Sequence, residues 1–252
     1  MKSNIFIITA AGGNATAIEI TPAELDHVEY SRQGKKLMAR TQQYGVEQCG
    51  FLIPEANHFE MSGGEFCGNA ARAASILFSQ LNGSPNVTFS MSGLAGTVTG
   101  TVKRKRDNVY DVTCVFQGME IIQRKVWIEG KPAELVDLGG IVHVVLESAF
   151  PADYEAQHRR IVQKLHLSEK DAVGVCWVER KNRSVTIHPV VWVRGIDSFF
   201  YESSCGSGSI AAGKTQNVSS VIQPTGQSIE VEFSESTITL HSEMEVTHEY
   251  EW

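Results

Sequence analysis

Two cysteines, each opening a run of small residues, are the pair most able to do chemistry in this sequence. Cys67 sits in EFCGNAARAA (65–74) and Cys205, 138 residues later, in ESSCGSGSIAAG (202–213). Each is followed by Gly and has an Ala pair six and seven positions downstream, with an acidic residue, Glu65 or Glu202, just upstream. A cysteine in this setting lies at the mouth of a helix, where the first backbone N–H groups have no intrahelical partner. A thiolate is favoured there, and depressed thiol pKa values are expected. Free cysteines are often simply buried, so either motif alone fits an ordinary glycine turn. The matched surroundings of the two point instead to a duplicated unit with one thiol on either side of a shared cleft.

Facing thiols suit stereoinversion at an acidic carbon. Removing the α-proton of a free amino acid creates a carbanion beside a carboxylate, and a lone thiolate is a weak base for that task. Helix N-termini that neutralise the carboxylate, together with exclusion of water, make the task easier. One cysteine takes the proton from one face and the other donates from the opposite face, with no cofactor and no metal needed. The two cannot both be thiolates, because like charges oppose each other and the donor must carry a proton. Each helix mouth contributes about 0.3–2 kcal/mol, far below the roughly 8 kcal/mol that a modest enzyme needs. Closure and positioning must supply the remainder.

The elements that must position these thiols follow from pattern. Runs 5–9 and 16–20 read as strands joined by a tight Gly12-Gly13-Asn14 connection. Thr21 and Pro22 read as N-cap and first position of a helical region reaching Tyr44. GVEQCGFLI then forms a strand carrying Glu47 and Gln48, and 59–62 another. The Cys67 helix, 69–81, is apolar almost all round, so it should be central and buried. Runs 87–91, 96–102 and 109–116 alternate as hairpin strands. A second half repeats the order: strands at 121–128 and 135–138, an apolar strand presenting His143, a helix at 154–165, and strands at 172–178, 185–187 and 190–194. After 198–201 come the Cys205 helix and closing β structure. The expected units are residues 1–118, completed by about 242–252, and 119–241.

Composition narrows the class. The 252 residues, 42 % hydrophobic and 20 % charged, describe an ordinary globular protein with core enough for one large or two smaller domains. A net charge of −7 argues against nucleic acid as a partner, and the KRKR run at 103–106 reads as a hairpin tip. Five cysteines without framework or C-x-x-C spacing imply reduced thiols in the cytoplasm. The apolar run 5–8 after Lys2 is too short for a signal-peptide core, and no segment approaches a membrane span. Whether two copies pair as a homodimer is left open.

Taken together, GGNAT at Asn14, GVEQ at Gln48, EFCGNAAR at Cys67, the glycine-then-histidine strand at 139–143, ESSCGSG at Cys205 and PTGQSIEVEF near the end resemble the cofactor-independent amino-acid racemases and epimerases typified by diaminopimelate epimerase. The resemblance implies an α/β fold of two pseudo-symmetric halves, each a mixed sheet curled round a central helix. The site would lie between them, and a small amino acid would be the partner. It implies that backbone N–H groups of Gly68, Asn69, Gly206 and Ser207 hold the substrate carboxylate, with Asn14, Gln48 and His143 in the substrate site. Diaminopimelate epimerases have Asn-Pro-His where this chain has Gly140 to His143, and an Asn where it has Met61 and Ser62, so a different substrate side chain is implied. Glu47 beside Gln48, MSGGEFCGNA and ESSCGSGS resemble the histidine racemase branch that feeds opine-type metallophore synthesis. There Glu47 would accept a hydrogen bond from an imidazole.

Several residues carry competing readings. Glu202 either orients the Cys205 segment and assists proton transfer or forms a salt bridge. Arg72 is either a carboxylate partner or, the preferred reading, an internal ion-pair partner of Glu65, and Cys49, Cys114 and Cys176 are read as core. A diaminopimelate or hydroxyproline epimerase, or a dehydratase, of the same fold is the second enzymatic reading. A thiol redox-sensing or ligand-binding protein is the non-enzymatic one.

Overall fold

The computed structural model describes residues 4–181 and 184–251, so Lys2 and Trp252 lie outside the described residues. The first half runs β1 (Asn4–Ala10), β2 (Gly13–Ile20), α1 (His27–Thr41), β3 (Val46–Ile53), β4 (His58–Met61), α2 (Gly68–Asn82), β5 (Asn86–Met91), β6 (Thr97–Arg106) and β7 (Val109–Gln117). The second runs β8 (Ile122–Ile128), β9 (Lys131–Asp137), β10 (Val142–Glu147), α3 (Tyr154–Lys164), β11 (Ala172–Lys181), β12 (Ser184–Val193), β13 (Ser198–Tyr201), α4 (Gly206–Gln216), β14 (Ser220–Ile222), β15 (Ser228–Phe233) and β16 (Thr237–Glu251).

A single mixed sheet connects all the strands, and its pairing shows the internal repeat. In the first half β2 pairs in parallel with β3 and β4 with β5, and in the second β10 with β11 and β12 with β14. Parallel neighbours need a crossover, and the four crossovers carry α1, α2, α3 and α4 in turn. The long strand β16 joins the halves. It pairs with β15 and β7 near its start and with β1 over 244–251, closing β1 to β7 into a ring. The second half ends on β8 as an open edge.

Each half wraps its sheet round one helix. From Gly68 to Phe78 every residue of α2 is buried, and so is α4 from Gly206 to Gly213. Alanine and glycine let the strands approach these helices closely, while Ile76, Leu77 and Phe78 fill the wider end, each contributing about 1.5–3 kcal/mol on burial. The main apolar core runs continuously through both halves, and α1 and α3 cover the outer faces over smaller clusters. Cys49, Cys114 and Cys176 are core residues, as expected.

Two sequence expectations are corrected. Thr21 does not cap α1: its N–H is bound by Leu52 O and its hydroxyl donates to Ala23 O. The helix begins at His27 because the Asp26 carboxylate accepts the Glu29 N–H at 2.8 Å. The strands expected at 185–187 and 190–194 are one, β12, running through Pro189. Proline is tolerated there because the neighbour on one side changes at this point, from β14 against Val185 and Thr186 to β13 against Val190 onward.

Candidate active site

Cys67 and Cys205 are the N-caps of α2 and α4. Each has extended backbone, and its sulfur accepts the N–H three residues on, Ala70 at 3.4 Å and Gly208 at 3.2 Å. The helix mouths abut. A Cβ on Gly206 would lie 3.0 Å from Asn69 N and from Gly68 C, so any larger residue there would press the mouths apart. The Asn69 side chain stitches the mouths together, donating to Ser204 O at 3.0 Å. Both cysteines therefore face one cleft of about 450 Å³ counting its opening.

The cleft places most of the expected site residues together. Glu47, Gln48, Cys67, Asn69, Glu202, Cys205, Gly206 and Ser207 line it. Gln48 is held from behind. Its Nε2 donates to Asn14 Oδ1 at 2.6 Å and to Thr16 Oγ1 at 2.8 Å, which turns its Oε1 to accept the Cys67 thiol at 3.1 Å. Asn14 supports Gln48 rather than lining the cleft, at a positive φ of 46° that asparagine tolerates. The adjacent Gly13 is required, since a Cβ would fall 2.5 Å from Ser203 Oγ of the other half. Gly68 is buried between the mouths.

His143 is not in the cleft lining. It is fully buried behind Ser207, hydrogen-bonded through Nε2 to Ser207 Oγ at 2.9 Å and through Nδ1 to Cys176 Sγ at 3.4 Å. The Arg72–Glu65 ion pair expected from the sequence is also replaced. Arg72 Nη2 donates to Asn69 Oδ1, and its Nε and Nη1 have no hydrogen-bond partner among the described residues. Burial lowers Arg72 to about 10, and the sulfurs of Cys114, Cys67 and Cys205 are the groups that raise it. It remains a cation at neutral pH, beneath both helix mouths.

Glu65 instead lines the cleft, as do Phe66, Ile141, Val191, Val193, Ile196 and Phe200. The apolar wall could be read only as core from the sequence, because alternation does not tell a buried strand face from a cleft face. Ser203 and Gln223 were also missed. Ser203 donates from Oγ and N to the two oxygens of Glu47, at 2.7 and 3.4 Å. Gln223, immediately before the PTGQ segment (224–227), accepts the Cys205 N–H at 2.8 Å.

The electrostatics overturn the expectation of depressed thiols. Burial pushes Cys67 up to about 12, and the neighbouring Glu202 and Glu65 add to this, against the opposing pull of the Ala70 and Asn69 N–H groups. Burial, with Glu202 next, also raises Cys205 well above an ordinary thiol. A helix mouth lowers a thiol pKa only when desolvation is smaller, and here both sulfurs lie in a water-poor cleft with carboxyls beside them. The carboxyls rise for the same reason: Glu202 to about 8, Glu65 to about 7, and Glu47 above its ordinary value. Two high-pKa thiols beside carboxyls that titrate near neutrality form a constellation able to move protons on two faces of one small ligand.

Solved structures of like fold include a phenazine biosynthesis PhzF-family protein from Enterococcus faecalis, with a TM-score of 0.60 and 15 % identity over 100 % of this chain and 99 % of that one. A predicted epimerase from Pseudomonas aeruginosa has a TM-score of 0.65 and 11 % identity over 99 % of both chains. These share the fold of two pseudo-symmetric halves. Histidine racemases from two strains of Fusobacterium nucleatum are 27 % and 26 % identical to this chain over 235 residues, covering 88 % of it and 86 % of each relative. Among the described residues, no helix is long and apolar enough to cross a membrane. The model of the histidine racemase CntK N-terminal domain matches residues 6–247, and the chain therefore belongs to that family and to the amino-acid isomerases.

Proposed function

We propose that this protein is a histidine racemase that inverts the α-carbon through Cys67 and Cys205 without pyridoxal phosphate. The observation that carries the reading is that two N-capping cysteines, from two halves of one fold, line one narrow cleft where their helix mouths touch. The substrate carboxylate lies against the helix-mouth N–H groups of Gly68, Asn69, Gly206 and Ser207, beside the Ala70 and Gly208 N–H groups that bind the sulfurs. Arg72, a fixed cation below, favours the negative charge that develops at the α-carbon and on the sulfurs.

One sulfur must be a thiolate and the other a thiol, with the roles exchanged in the reverse direction. Glu202 lies beside the Cys205 thiol, and its carboxyl, raised to about 8, is largely protonated at neutral pH. It is the group through which that thiol's proton leaves and returns. Gln48 orients the Cys67 thiol. His143 steadies Ser207. Five free thiols fit a reducing compartment such as the cytoplasm.

Purified protein incubated with L-histidine and no added pyridoxal phosphate should approach a racemic mixture. Cys67→Ser and Cys205→Ser should each lower the rate by about 10²- to 10⁴-fold. Full two-way activity in either variant would remove that cysteine from the mechanism, and retention of the L form by the unaltered protein would exclude histidine as substrate.

A further inference from the structure

Three carboxyl side chains line the cleft, and they differ in what they already hold. Glu47 accepts Ser203 donors on both oxygens. Glu202 lies beside the Cys205 thiol. Glu65 is 4 % exposed, and its Oε2 has no hydrogen-bond partner among the described residues.

The place of that oxygen is well defined. A Cβ on Gly63 would fall 2.6 Å from Glu65 Oε2 and 2.5 Å from Val193 Cγ1, so the free oxygen sits beside the apolar wall that Val193 gives to the cleft. The Glu65 carbonyl is tied by Ser92 Oγ at 3.2 Å, which fixes the backbone beneath the side chain. A buried acceptor left unmet is costly and is normally satisfied by protein, water or ligand. Phe66, Val191 and Phe200 continue the wall, so a flat ring laid along it would turn a polar edge toward this buried acceptor.

We propose that Glu65 is the specificity-determining residue of the cleft, its free Oε2 hydrogen-bonding a ring nitrogen of the substrate and so selecting an imidazole over an apolar ring of the same size. This deepens the histidine reading and rests on it. It moves the imidazole contact from Glu47, whose oxygens are engaged by Ser203, to Glu65 Oε2, which has no partner among the described residues. Burial holds the Glu65 carboxyl near 7, so both its forms are present at neutral pH. The ionised form accepts from a ring N–H and the protonated form donates to the bare ring nitrogen, and imidazole offers both edges.

The test compares kcat/KM for L-histidine with that for L-2-thienylalanine, whose five-membered ring lacks N–H. Glu65→Leu should lower the preference for histidine by roughly 10- to 100-fold while thienylalanine changes by less than about threefold. Glu65→Gln, which keeps a donor and an acceptor, should retain more of the preference than Leu. An unchanged preference in Glu65→Leu, or an equal fall for both substrates, overturns the inference while leaving the racemase reading intact. A wild-type protein that inverts other amino acids but not histidine overturns the histidine reading itself. Should Glu65→Leu not fold, spectra of ring-¹⁵N histidine bound to the wild type and to Glu65→Gln decide. A change confined to one ring nitrogen supports the contact, and identical ring signals overturn it.

Discussion

Replacing Glu202 with Gln should stabilise the protein increasingly as pH rises, even as it slows inversion. The carboxyl has an ordinary value of 4.5 and is raised to about 8, first by burial and then by Glu47 and Glu65. Between those values the folded protein keeps a proton that the unfolded chain has released. The stability present below 4.5 is therefore lost progressively as pH approaches 8 and stays lost above it. At about 1.4 kcal/mol per pH unit the ceiling is roughly 5 kcal/mol. Part of the repulsion is shared with Glu47 and Glu65, so a measured difference of about 2–4 kcal/mol is expected. Glutamine has nearly the shape of the protonated acid and never ionises. Urea unfolding of wild type and Glu202→Gln should give similar midpoints near pH 5 and a clearly higher midpoint for the variant near pH 8. Parallel stability curves across this range would refute the reasoning that burial holds this carboxyl protonated.

Two further outcomes follow from the same geometry. Gly206→Ala places a Cβ 3.0 Å from Asn69 N, Asn69 Oδ1 and Gly68 C. It should cost about 1–3 kcal/mol in stability and, by prying the helix mouths apart, lower kcat/KM by roughly 10²-fold. Wild-type kinetics in that variant would mean that the contact of the mouths is irrelevant to the chemistry. Cys67, at about 12, should carry a thiolate fraction near pH 7.5 roughly 10³-fold below that of free cysteine. Iodoacetamide should therefore modify the free enzyme slowly, with the rate climbing as pH rises. Alkylation at the pace of a small thiol would show that helix-mouth stabilisation outweighs burial after all.

Much of this arrangement is legible in the sequence, and the misses have physical causes. The two Cys-Gly openings and their Ala pairs identify both central helices, because such small residues suit only a helix crowded on every side. The shared cleft followed from the repeat. Thr21 was a plausible cap by residue type, but Asp26 lies where the chain turns back onto the sheet, and only tertiary contacts decide between them. The high thiol pKa values were not legible, because desolvation depends on the opposite half closing over each helix mouth. His143 could be placed on an apolar strand but not behind Ser207, since the strand's alternation does not reveal which helix it faces. Glu65 was paired with Arg72 because opposite charges near each other in sequence invite it. The helix instead turns Arg72 inward to Asn69 and leaves Glu65 at the cleft.

Deuterium labelling of the α-position during a single enantiomer's conversion tests two opposed thiols most directly. With L-histidine in deuterium oxide at early conversion, the D product should carry deuterium at the α-carbon while the remaining L substrate keeps its proton. D product that retains the original proton, or deuterium entering residual substrate as fast as product forms, would contradict proton removal on one face and delivery on the other.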